Sequence, residues 1–142
     1  MNRVQRLASL VAFLLAVAVS SAAVAQAPAG SPGTLFTAPL ADMPGKQLVV
    51  VELRLPPKQE GRPTPPAHRH PGSVYVYVTA GTARLGIQGE PVREVTAGES
   101  FFEPMGALHT VTESASSTEP ATAIAIMIVP EGAPLVTLQP NN

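Results

Sequence analysis

From Lys46 onward the chain is cut into short β-branched runs by glycine and proline, and this punctuation decides what it can fold into. KQLVVVELRL, SVYVYVT, TARLGIQ, PVREVT, SFFEP, LHTVTE, ATAIAIMIV and PLVTL are each of strand length. Ala80-Gly81, Gly89-Glu90, Ala97-Gly98 and Met105-Gly106 place turns between them every eight or nine residues. Sixteen prolines work against helix, because each removes a backbone donor and clashes with the preceding turn. The chain is therefore predicted to be all-β, an antiparallel sandwich or barrel.

Ahead of that domain the pattern differs. Arg3 and Arg6 precede an almost wholly apolar stretch from Leu7 to Val19, and Ala23-Val24-Ala25 is a small-x-small site. This is the layout of a cleaved secretory signal peptide, with an apolar run shorter than the roughly 20 residues that span a bilayer. Cleavage is expected after Ala25. The pair of arginines is not adjacent, so Sec-type export to the periplasm or beyond the cell is expected. The predicted organisation is 1–25 signal peptide, 26–45 flexible lead-in with a first short strand, 46–138 barrel, and 139–142 tail. Losing Arg3 and Arg6 from nine basic residues leaves seven against ten acidic. Such a balance excludes a nucleic-acid partner, since phosphate binding needs a basic patch. No stable membrane insertion is expected after cleavage. There is no cysteine, so neither disulfides nor thiolate ligands enter the account.

Alternation along the runs assigns their faces. In Ala123-Ile124-Ala125-Ile126-Met127-Ile128 the isoleucines share one face and the smaller or flexible side chains the other, so both faces are expected to be buried between two sheets. In Val74-Tyr75-Val76-Tyr77-Val78 the valines continue the parity of His68 and His70, provided the Pro71-Gly72 bend keeps register. Tyr75 and Tyr77 then face the other way, toward ordinary packing or a subunit interface.

The chain has three histidines, His68, His70 and His109. Two imidazoles two residues apart on a strand point the same way and can hold one ion from one side. A third, after the Pro104-Met105-Gly106 turn, can complete the face. Imidazole is the commonest metal ligand in proteins. Arg69, between two inward histidines, is expected to face outward. Glu103 is either a solvated strand-end residue or a carboxylate that stands behind the ligands or takes the place of a ligand itself. Arg84 is either a surface residue or the anchor of an anionic substrate.

Taken with their spacing, these residues resemble the cupins, whose motifs are G-x5-H-x-H-x3,4-E-x6-G and G-x5-P-x-G-x2-H-x3-N. Gly98, Pro104, Gly106 and His109 keep every interval of the second motif, and His68, His70 and Gly81 keep theirs in the first. The resemblance covers Lys46 to about Val129 and implies a small jelly-roll barrel of two antiparallel sheets with ligands converging at its mouth. There are three departures. The position of the family's glutamate ligand holds Val74, or Tyr75 with the longer gap. The first glycine is Arg62, with Gly61 one place earlier, and the closing asparagine is Glu113.

A divalent ion on three neutral rings keeps its full charge and open positions, and so favours an anionic, chelating substrate. In this the chain resembles three-histidine cupins, which include thiol, β-diketone and gentisate-type dioxygenases. That implies an exported metal-dependent dioxygenase acting on a small diketone, thiol or hydroxyaromatic acid. Fe2+ is the favoured ion, although imidazole also accepts Mn, Ni, Cu and Zn. A non-catalytic metal- or small-molecule-binding module is the alternative. A sugar-phosphate isomerase or epimerase is least favoured, because no cluster of Lys and Arg adjoins the triad in sequence. Cupins commonly pair, so a homodimer is also expected.

Overall fold

The computed structural model describes residues 33–55, 57–58 and 66–139. The signal-peptide reading, the Gly61-Arg62 pair and most of the expected tail lie outside these residues.

Among the described residues ten strands follow the punctuation of the sequence: β1 Thr34–Pro39, β2 Lys46–Leu55, β3 His68–Arg69, β4 Val74–Ala80, β5 Thr82–Ile87, β6 Arg93–Thr96, β7 Ser100–Glu103, β8 His109–Ser114, β9 Ala121–Pro130 and β10 Thr137–Leu138. No helix occurs among the described residues. The expected all-β fold is what forms, as two antiparallel five-stranded sheets ordered β1-β2-β9-β4-β7 and β10-β3-β8-β5-β6.

The sheets close over a core set by period-2 alternation. Val74, Val76 and Val78 of β4 point inward with Ala121, Ala123, Ala125, Met127 and Val129 of β9. Ala83 and Leu85 of β5 and Val95 of β6 meet them from the second sheet. Burying a side chain such as Leu85, which is fully enclosed, contributes about 1.5–3 kcal/mol relative to leaving it in water.

One expectation is corrected on β9. Its two faces are not both buried between the sheets: the alanines and Met127 are inside, while Ile124, Ile126 and Ile128 are half-buried or exposed on the outer side. Part of that inner face borders a cavity. Ala125 and Met127 form part of the cavity wall.

Pro71-Gly72-Ser73 carries the chain from β3 in one sheet to β4 in the other. The crossing passes so close to β9 that a Cβ on Gly72 would lie 2.0 Å from the Ile128 carbonyl oxygen. Only glycine fits there.

Candidate metal centre

The three histidines come from one sheet and from the residue at which the chain leaves it. His68 on β3 is directly opposite His109 on β8 in the strand register, and His70 follows one residue beyond β3. One ring nitrogen from each of His68, His70 and His109 lies within 4.8 Å of the others, a spacing that could hold a metal ion. Ring centroids are 4.9 Å apart for His68 and His70 and 5.2 Å for His68 and His109.

Backbone carbonyls orient two of these rings. His68 Nδ1 donates to the Pro66 carbonyl at 3.0 Å and His70 Nδ1 to the Leu135 carbonyl at 2.7 Å. A carbonyl oxygen only accepts, so each Nδ1 carries the proton and each Nε2 keeps its lone pair. That is the tautomer a metal requires. Burial pushes the His68 pKa below its usual value, with the neighbouring His70 and His109 acting in the same direction against the Pro66 bond and Glu103. His109 is buried, and Phe101 stacks on it with centroids 6.3 Å apart at 21°.

The turn before His109 is tied back to the first two histidines. Gly106 takes a positive φ of 72°, and its N–H donates to the His70 carbonyl at 3.1 Å. Arg69 faces away from the histidines, as alternation requires, and donates to the Gly106 carbonyl at 2.5 Å. It holds the turn that delivers His109, a role its outward direction in the sequence did not reveal.

Glu103 is not a solvated strand-end residue. It is 3 % exposed, and its Oε2 lies 3.1 Å from His109 Nδ1 and 3.6 Å from His70 Nε2. Strand β7 turns Phe101 and Glu103 inward and Phe102 outward. The cluster is therefore not built of neutral rings alone.

Arg84 is placed elsewhere. Ala83 and Leu85 point into the core, which turns Arg84 outward, where it pairs with Glu113 at 2.5 Å. Glu113 also faces Lys58 at 3.8 Å. Of the two readings of Arg84, the structure places it on the outer face, and the carboxylate at the motif's closing position serves this pair.

The imidazoles and Glu103 line one part of a cavity of about 530 Å³. Most of its other walls are apolar, including Val51, Leu53, Val76, Met127 and Leu135. Among the described residues no lysine or arginine lines it.

A cupin domain profile matches residues 54–127, and with the motif histidines inside a two-sheet barrel this places the chain in the cupin family. The fold recurs in solved structures. A double-stranded β-helix protein from Klebsiella pneumoniae is 18% identical, with 82% of this chain and 91% of that one covered at a TM-score of 0.52. A cupin-like protein from Thermotoga maritima is 21% identical, with 67% and 65% covered at a TM-score of 0.51. A DMSP lyase from Ruegeria pomeroyi is 22% identical at a TM-score of 0.47; the match covers 66% of this chain but only 43% of the lyase. No curated protein matches the sequence significantly.

Proposed function

We propose that this protein is an exported metal-dependent dioxygenase that binds a small chelating organic anion beside an ion held by His68, His70 and His109. The observation that carries the reading is the pairing of a convergent imidazole cluster with an apolar cavity whose described lining holds no cationic side chain. An anion entering such a cavity needs a positive partner, and a bound cation at the histidines is the one the donor set provides. The donors fit a divalent transition ion: two rings present unprotonated Nε2 atoms, and all three nitrogens converge. Ferrous iron there would supply Lewis-acid polarisation of the bound anion and a site for dioxygen.

The chain's own residues do the rest. The Pro66 and Leu135 carbonyls hold the first two rings in place. Val51, Leu53, Val76 and Met127 exclude water from the body of the substrate, which strengthens every polar interaction at the cluster. Thr34 and Thr112 also line the cavity; the Thr112 hydroxyl lies 3.2 Å from His109 Nε2, and Thr34 offers a donor for a substrate oxygen. Export rests on the N-terminal pattern of charge, apolar run and small-residue site.

Pairing of two copies belongs to the same reading. Phe36, Val50, Ile126, Tyr75 and Phe102 stand side by side across all five strands of one sheet, on its outer face. The row carries no charge, and its one hydroxyl, on Tyr75, is already bonded to Ser100 at 2.6 Å. A second copy offers the same uncharged surface to a two-fold contact.

The activity is tested by loading the mature protein with Fe2+ without oxygen and titrating a β-diketone, a thiol and a hydroxyaromatic acid. Admission of oxygen should then give uptake stoichiometric with loss of one of them. Binding without uptake for every class would replace the enzyme by a binding module.

A further inference from the structure

Glu103 is a buried carboxylate in the cavity wall beside the imidazole cluster. We infer that it is a fourth, directly coordinating ligand of the metal, supplied by β7 in place of a carboxylate on β4. The inference rests on the metal-binding reading above and deepens it.

Two independent observations support it. The first is register: Glu103 on β7 lies directly opposite Val74 on β4, and both side chains are buried on the inward face. Directly opposed residues of an antiparallel pair hold their Cβ atoms about 4.5–5.5 Å apart, so a carboxylate at either position reaches the same region. Val74 fills its share of that region with methyl groups, which leaves the polar space to Glu103. The second is the placement of Oε2. His70 has its Nδ1 committed to Leu135, so Nε2 is the nitrogen it presents to an ion. Oε2 lies 3.6 Å from that nitrogen and 3.1 Å from His109 Nδ1. One oxygen therefore stands beside two imidazole nitrogens, at the edge of the convergent group that His68, His70 and His109 form. A carboxylate whose only task was to orient His109 from behind would not face the free nitrogen of His70.

The consequence is a site of three imidazoles and one carboxylate, with one unit of the ion's charge neutralised by the protein. An incoming anion then has less positive charge to balance than on three neutral rings.

The experiment is a crystal structure of the full mature chain loaded with Zn2+, together with Zn2+ affinities of three proteins: wild type, Glu103→Gln, and the exchange Val74→Glu/Glu103→Val. The expected result is a Glu103 oxygen at roughly 2.0–2.2 Å from the ion. Affinity should fall in Glu103→Gln, as it also would for a carboxylate that only orients His109, and, unlike in that case, return in the exchange variant, whose carboxylate reaches the ion from the facing strand. An ion bound by the three histidines with Glu103 hydrogen-bonded to His109 and outside the coordination shell would overturn the assignment. So would a Glu103→Gln protein of unchanged affinity. A wild-type chain that takes up no ion would instead overturn the metal reading on which it stands.

Discussion

His68 shows how a single residue sets the pH response of the site. Burial holds its pKa below the usual 6.5. Above that value the ring is neutral in folded and unfolded chains, and it adds no pH dependence. Below it the unfolded chain takes up a proton that folded His68 resists, so the metal-free protein loses stability until the pH passes the lowered folded value, and then levels. Metal binding follows the same sign, because a protonated imidazole is not a ligand. Zn2+ affinity measured by calorimetry between about pH 7.5 and 5 should fall with acid, and a flat profile would contradict binding through imidazoles. At this scale the histidines are legible in the sequence, since His-x-His and the spacing from Pro104 to His109 depend only on neighbours in the chain. Glu103 is not. Its burial follows from pairing with Val74, a contact between strands that no local pattern encodes.

Among the elements, β9 shows what alternation can and cannot say. A period of two separates Ala and Met from Ile, but both sets are apolar, so hydrophobicity does not tell which faces inward. The structure puts the alanines and Met127 inside, with Ala125 and Met127 at the cavity, and the isoleucines outside. Strand positions themselves were readable, because glycine and proline mark nearly every end. β3 is shorter than the alternation through His70 implies, ending at Arg69 before the chain crosses between sheets. That crossing depends on Gly72. Gly72→Ala puts a methyl against the Ile128 carbonyl and should destabilise the fold by about 1–3 kcal/mol, as overpacking typically does. Urea unfolding of the metal-free protein measures this, and an unchanged midpoint would show that the crossing can relax.

For the whole molecule, the apolar row on the outer face of the β1-β2-β9-β4-β7 sheet bears on assembly. Ile126 sits at its centre, between Val50 and Tyr75. The mature protein is expected to run as a dimer in light scattering. Ile126→Lys should give a monomer with the circular dichroism of the parent, because the side chain points away from the core. A wild-type monomer would remove the row from the account of pairing.

Everything said of function depends on a metal at His68, His70 and His109. Its most direct test is elemental analysis of mature protein purified from its own compartment under oxygen-free conditions, beside His70→Ala prepared identically. Close to one equivalent of a transition metal per chain is expected, iron above others, with its loss in His70→Ala while the strands stay folded. A wild-type protein that carries no metal and takes up none on reconstitution, or a His70→Ala protein that keeps its metal, would contradict it.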